Sequence, residues 1–449
     1  MLYYYVGSNI VYNNICFIAV ASSGIASQLI PGGRTAHSRF CIPFVCDEES
    51  TCNIMQGCSL AELIENAKLI IWDEAPMCNR YCIEAVDRTL RDIMRFKNPN
   101  SEDQPFGGKI VVFGGDFRQI LPVIPKGSRQ DIVMASLTSS YLWSSCKVFS
   151  LSKNMRLNQA VSPSEAQLVR EFSEWILAVG NGKIGQEVED GLYRIKIPHD
   201  LLISDFTDPI AGISDAIYPD ISSSAKDAAY FSDRAILAPT LDEVDGVNQY
   251  LLDQVQGDEK VYLSSDSICN DSKAYDESAE TYTTEFLNSI KGSGLPSHKI
   301  CLKVGVPIML LRNIDRSLGL CNGTRLIVSR LSDHVIEGII MSGRNAGEKV
   351  CIARMTIIPS DLKLPFRIQR RQFPITISFA MTINKSQGQS LSFVGIFLRR
   401  PVFTHGQLYV ALSRVRSRSG LKILIDHNLE FGKGITFNCV YKEVFQVDK

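Results

Sequence analysis

The sequence predicts an α/β protein with two domains built on parallel sheets, the second interrupted by a small β-rich insertion. Three observations carry this. From about residue 15 to 150, short apolar runs alternate with amphipathic stretches, as strands buried on both faces do when crossover helices join them. The alternation returns from 234 to 255 and again after 375. Between about 295 and 374 the spacing shortens to β-rich runs separated by turn residues. The expected division is a first domain over 1–150, the opening of a second over 151–294, the insertion over 295–374, and the rest of the second over 375–449.

In the first domain, Ile15–Ala21 reads as a buried strand, and Ser22-Ser23-Gly24 turns into a helix through Ile30. The stretch Pro31–Phe40 (PGGRTAHSRF) combines glycines, hydroxyls and arginines on a post-strand loop, a composition suited to phosphates. Residues 45–60 form a polar loop, and Leu60–Ala67 is helical. Leu69-Ile70-Ile71-Trp72 is too short for a helix and suits a buried strand. It delivers Asp73 and Glu74 at its carboxyl end, where open parallel sheets bind ligands. There Asp73 can hold magnesium and Glu74 can orient and deprotonate a water, the Walker B arrangement of nucleotide hydrolases. A lone apolar-Asp-Glu is equally a strand ending in a solvated acidic turn. Arg80–Phe96 is a long amphipathic helix. The strand Ile110–Phe113 delivers Gly114–Gln119, with Gln119 the candidate to sense a γ-phosphate. Val148–Leu151 is expected as a further strand, with Arg156 beyond it able to reach phosphates from the domain boundary.

The second domain is expected to open with a helix over Glu165–Val179, a loop-rich stretch over 181–232, a strand over Arg234–Leu237 and a helix over Asp242–Val255. The insertion's runs are Lys299–Leu302, Pro307–Leu311, Thr324–Val328, Val335–Ile340 and Val350–Ile358, which read as a small β-barrel. At its exit lie Lys363, Arg367, Arg370 and Arg371, with Phe366 and Phe373 interleaved. That mixture suits the phosphates and bases of a single strand, and it also suits a solvated basic linker. Ile375–Phe379 and Phe393–Leu398 resume the parallel sheet, Thr404–Arg414 is a short helix ending in an arginine, and Lys422–Ile425 closes the sheet.

Composition sets broad bounds. The chain has 449 residues, 45% hydrophobic and 21% charged, with a net charge of -1, an ordinary globular mixture. Such a balance requires any nucleic-acid surface to be local. Its 13 cysteines show no Cys-x-x-Cys pair, so free thiols are expected rather than a zinc site. The first basic residue is Arg34, and the broken apolar start resembles neither a secretory signal nor a membrane span. A soluble, intracellular protein is the expectation, with no membrane partner.

Six segments, in order, resemble motifs of the petite-integration-frequency (Pif-type) family of superfamily-one DNA helicases, most of all its plant and helitron-transposon branch. ASSGIASQLIPGGRTAHSRF resembles motif Ia, WDEAPM motif II, FGGDFRQILPV motif III, LSKNMRL motif IV, TINKSQGQSL motif V and YVALSRVRS motif VI. The resemblance covers about residues 15–430. It implies two RecA-like domains with ATP and Mg2+ in the cleft between them, single-stranded DNA crossing both, and an SH3-like insertion. By the same resemblance, Asp73 would be the magnesium ligand, Glu74 the general base and Gln119 the γ-phosphate sensor. Arg156 and Arg414 would stabilise the transferring phosphoryl charge, and Gln387 and Gly388 would couple nucleotide to DNA. Thr35, His37, Ser38, Thr382 and Lys385 would face the DNA backbone. The family acts on single-stranded DNA and DNA junctions as a 5′-to-3′ helicase in repair, recombination and telomere upkeep. The implied state is a monomer in the nucleus, with mitochondria as a second site. One departure stands out: the chain contains no Gly-x-x-x-x-Gly-Lys-Ser/Thr phosphate loop. The expectation is therefore a truncated copy with impaired ATP hydrolysis, the alternative a non-catalytic DNA-binding remnant of a transposon helicase.

Overall fold

A computed structural model describes residues 16–153, 155, 162–189, 191–221, 228–269, 282–292, 294–315, 317–343, 345–359, 364, 366–426 and 432–445. Among the described residues the first domain holds four strands: β1 (Phe17–Ala21), β2 (Arg34–Thr35), β3 (Leu69–Asp73) and β4 (Ile110–Phe113). They pair in parallel in the order β2-β1-β3-β4. Helices accompany them, among them α1 (Gly24–Leu29), α2 (Ala36–Phe40), α3 (Ser59–Asn66) and α4 (Arg80–Met94). Local chemistry starts them where the polar residues fall. The Ser23 hydroxyl accepts from the Ala26 amide, and the Asn79 side chain from the Tyr81 amide, each satisfying an amide the first helical turn leaves open. Trp72 on β3 is fully buried, stacks on Phe40 at 5.8 Å and donates its indole N–H to Ser22 Oγ at 3.0 Å.

Val148–Leu151, expected as a strand, is irregular backbone, with Phe149 76% and Leu151 85% exposed. An apolar run becomes a strand only beside a hydrogen-bonding neighbour, and among the described residues this one has none. β4 is an edge of its sheet, and Ile110 on it is 65% exposed.

The second domain is built on α5 (Pro163–Gly180), β5 (Arg234–Ala238), α6 (Leu241–Gln254), β6 (Ala380–Thr382), β7 (Phe393–Leu398), α7 (Gln407–Ser413) and β8 (Leu421–Ile425). Its sheet is parallel in the order β6-β5-β7-β8. The stretch expected to be loop-rich is more ordered than its composition suggests. Gln186–Glu189 and Leu192–Lys196 form antiparallel strands joined by Ile435–Cys439, and Pro209–Ile217 is a helix. Leu192–Lys196 does alternate, with Tyr193 and Ile195 buried, but over too few residues to stand out among the surrounding Gly, Asp and Pro.

The insertion's strands divide among three antiparallel sheets. One has five strands: Lys349–Ala353, Val335–Ile340, Arg325–Leu331, Pro307–Leu310 and Ile375–Ile377. A second joins Met355–Ile357, Ile368–Gln372 and Ser265–Ile268, and a third joins Lys260–Leu263 to Lys299–Leu302. Two expectations change. Residues 260–268 belong with these sheets rather than with the parallel one, and Ile375–Ile377 pairs antiparallel with Pro307–Leu310. The parallel sheet resumes only at Ala380. Composition marks a strand, but its partner decides which sheet it joins. All 13 cysteines are free thiols. Among the described residues no helix is long and apolar enough to cross a membrane.

Candidate functional site

The carboxyl ends of β3 and β4 meet the second domain across a cleft. The Glu74 backbone turns left-handed (φ 51°, ψ 36°), and its amide donates to Asp73 Oδ1 at 2.9 Å. The turns after the two strands press together. Ala75 donates its amide to the Gly114 carbonyl at 2.9 Å. A Cβ on Gly115 would lie 2.2 Å from Pro76 Cδ, so only hydrogen fits there. Burial pushes the Glu74 carboxyl up to about 7, with Asp73 and Asp116 adding to the rise. Arg414 and a hydrogen bond from Gln387 oppose it, both reaching Glu74 from the second domain. A carboxyl near neutrality is matched to accepting a proton at ordinary pH.

Gln387, 4% exposed, donates its amide to Gln119 Oε1 at 2.9 Å. Arg414 is also buried. Its guanidinium is steadied by the Val410 carbonyl (2.9 Å), Ser413 Oγ (2.8 Å) and the Gln389 carbonyl (3.2 Å). Gly388, at φ 81°, lies against Ile25 of α1, where a Cβ would sit 3.3 Å from Ile25 Cγ2. Asp73, Glu74, Gln119, Gln387, Gly388 and Arg414 thus lie where the two domains meet. Arg156 lies outside the described residues. The carboxylates here are hard oxygen donors of the kind magnesium takes. Among the described residues no group of three or more His, Cys, Asp or Glu could hold a metal ion. One or two carboxylates completed by water and phosphate oxygens is how magnesium is commonly held, and Asp73 fits that role.

A cavity of about 930 Å³ opens between the second domain and the insertion, lined by Thr240, Met381, Thr382, Asn384, Lys385 and Phe403 among others. Lys385 Nζ is buried and makes no hydrogen bond among the described residues. Burial, with the charge of Arg312 nearby, lowers its pKa to about 8. A cation held in this way is matched to an anion entering the cavity.

The basic cluster needs correcting. Arg370, expected on a DNA path, is 0% exposed. Its guanidinium pairs with Asp266 at 2.7 Å and donates to the carbonyls of Leu287, Ile290 and Pro296. The strand Ile368–Gln372 alternates, so Arg370 points into the insertion while Arg371 points out. Arg367 is exposed as well, and Lys363 lies outside the described residues. The interleaved aromatics are core. Phe373 is fully buried edge-on to Tyr262 at 5.0 Å, and Phe366 packs on Tyr282 at 4.3 Å. On the first domain, Thr35 closes β2 and precedes α2, and Ser38 is half-buried. The His37 ring approaches the Cys82 thiol (Nε2 to Sγ 3.9 Å), toward its own domain.

Sequence reasoning passed over Asp116, His405 and Tyr409, all at the domain junction. Tyr409 Oη donates to Asp116 Oδ2 at 2.6 Å. The signal was an acid two residues before Arg118 and an aromatic inside an otherwise aliphatic helix.

A family model described as "PIF1-like helicase" matches residues 1–190, and one described as "DNA helicase Pif1, 2B domain" matches residues 285–331. The two matches make these two parts of the chain Pif1-like in sequence. The ATP-dependent DNA helicase PIF1 of Danio rerio is 27% identical over 415 residues, covering 90% of this chain and 54% of that protein. The chain thus spans about half the length of that curated relative. Among solved structures, Bacteroides Pif1 bound to ssDNA superposes with a TM-score of 0.62 at 22% identity, covering 94% of this chain and 85% of that one. Bacteroides Pif1 with ADP-AlF3 and ssDNA gives a TM-score of 0.60 at 24% identity, covering 91% and 82%. These likenesses show the fold: a Pif1-type pair of parallel-sheet α/β domains.

Proposed function

We propose that this Pif1-like chain derives from an ATP-dependent 5′-to-3′ DNA helicase, binds single-stranded DNA and DNA junctions as a monomer, and by itself hydrolyses ATP poorly. The observation that carries the reading is the meeting of Asp73, Glu74 and Gln119 with Gln387 and Arg414 across one cleft. Glu74, raised to about 7, takes a proton from the attacking water. Gln119, held by Gln387, fixes the far side of the γ-phosphate, and Arg414 offsets its growing charge. Magnesium on Asp73 would neutralise phosphate charge. Lys385, Thr382 and the exposed Arg371 line the path of the strand. The relatives' names and the ligands in the neighbours' titles, ssDNA and ADP-AlF3, support the same reading. The cellular setting in this reading is nuclear, with mitochondria as a second site, in repair, recombination and telomere maintenance.

The expected weakness in hydrolysis rests on the missing Gly-x-x-x-x-Gly-Lys-Ser/Thr. Such a loop supplies amide donors and a lysine to the phosphates. Losing one preorganised donor alone lowers kcat roughly 100- to 1000-fold. The same gap favours the second reading, a non-catalytic strand-binding remnant of a helitron helicase. DNA-stimulated ATPase measured on this chain, and on a version extended by a family-like strand, Gly-Lys-Thr loop and helix, separates the two. Turnover in the extended form alone, abolished by Glu74→Gln, supports the helicase. An inactive extended form that still binds single strands supports the remnant, and absence of strand binding in both overturns the proposal.

A further inference from the structure

The loop after β4 is held by the second domain at four successive residues. Asp116 Oδ2 accepts from Tyr409 Oη at 2.6 Å. The Phe117 carbonyl accepts from His405 Nε2 at 2.7 Å, because the Tyr441 amide donates to Nδ1 at 2.8 Å and so leaves the proton on Nε2. Arg118 Nε donates to Asn181 Oδ1 at 2.7 Å, and Gln119 Oε1 accepts from Gln387 at 2.9 Å. Backbone meets backbone as closely. At Gly406 (φ 75°) a Cβ would lie 2.4 Å from the Arg118 carbonyl oxygen, so the chain entering α7 lies directly on this loop.

Within this contact Tyr409 stands apart, because it sits in α7 itself. Its ring is 8% exposed and seated against Gly180, where a Cβ would fall 2.5 Å from Tyr409 Cδ2. Its hydroxyl meets a carboxylate already held by Arg118 Nη1 at 3.0 Å. A bond to a charged acceptor is worth more than one between neutral groups. Arg414 lies at the carboxyl end of the same short helix. Arg414 follows Tyr409 by about 7.5 Å along the helix axis, so the placement of Tyr409 bears directly on that of Arg414.

We propose that Tyr409 is a positioning residue. Its hydroxyl, bonded to Asp116, locks α7 onto the loop after β4 and thereby sets Arg414 against the Asp73–Glu74 end of β3. The inference rests on the helicase reading for its purpose, and on the contact alone for its existence. The test starts with hydrogen exchange on the full 449-residue chain. Tyr409→Phe keeps the ring on Gly180 and removes only the donor. Peptides covering 114–119 and 407–414 are expected to exchange about tenfold faster, the scale of one lost charge-assisted bond, while the insertion's peptides stay unchanged. Asp116→Asn serves as the second variant should Tyr409→Phe fail to fold. The double variant is expected to exchange no faster than the worse single one, as for two partners of one bond. In the phosphate-loop-extended form, Tyr409→Phe is expected to lower kcat at least tenfold with KM for ATP within twofold. Unchanged exchange at both segments overturns the lock. Faster exchange with kcat and KM both intact overturns the positioning role and leaves a packing contact. An extended form without turnover counts against the helicase reading, and exchange still decides whether the lock exists.

Discussion

Lys385 carries its ammonium into a cavity where no described group accepts a hydrogen bond from it. A fully solvated lysine holds its charge to about 10.4, but burial brings this one to about 8. An amine is charged below its pKa, so the cation that would meet a phosphate is present at neutrality and lost as pH rises through 8. Single-strand affinity, followed by fluorescence anisotropy, is expected to fall between pH 7.5 and 9, about two units earlier than surface lysines would dictate. Lys385→Met is expected to remove that step and reduce the slope of log affinity on log salt by about 0.7, one phosphate contact on a single strand. A variant with the wild-type slope and pH profile would remove Lys385 from the DNA path. Lys385 was legible in the sequence because it lies inside an ordered motif. Its desolvation was not, because that depends on the cavity wall.

At the scale of an element, the strand Ile368–Gln372 shows how far composition can mislead. Four basic residues and two phenylalanines look like a nucleic-acid surface, yet the strand's two-residue period sends neighbouring arginines to opposite faces. Arg370 neutralises Asp266, and both side chains are almost wholly enclosed. Removing one member of a buried pair strands the other charge at about 3–5 kcal/mol. Arg370→Met is therefore expected to destabilise the insertion by that amount in chemical denaturation. Arg371→Glu is expected to leave stability within about 0.5 kcal/mol, as for an exposed site, and to weaken strand binding. A stable, binding-deficient Arg370→Met would restore the surface reading. The Val148–Leu151 segment teaches the converse. Its apolar run satisfies a strand pattern, but the hydrogen-bonding neighbour that would make it one is a tertiary fact.

For the whole molecule, the junction between domains carries a pH limit. His405 is fully enclosed there, and burial drops its pKa to about 4, although its bond to the Phe117 carbonyl works the other way. An unfolded histidine titrates near 6.5, so the unfolded chain binds a proton that the folded chain refuses between pH 6.5 and 4. The stability this neutral ring contributes is complete above pH 6.5 and declines as pH falls toward 4, by up to about 3 kcal/mol. Thermal unfolding of His405→Gln is expected to lose that part of the acid dependence while starting from a lower plateau. A variant whose acid profile parallels wild type would assign the loss to other groups.

The sequence by itself determined the alternation that makes two parallel sheets. It also placed Asp73 and Glu74 at the end of a buried strand and ordered the motifs that bring Gln119, Gln387 and Arg414 into one cleft. These are local properties: an apolar run of four, an acid at its end, a glycine where a turn needs one. Tertiary structure alone decided that Arg370 is buried, that residues 260–268 join the insertion, and that Tyr409 and His405 bridge the domains. Each of these depends on a partner distant in the chain, from about 40 residues away for 260–263 to nearly 300 for Tyr409. Spacing shows which face a side chain occupies, while only the packed fold shows what meets it there.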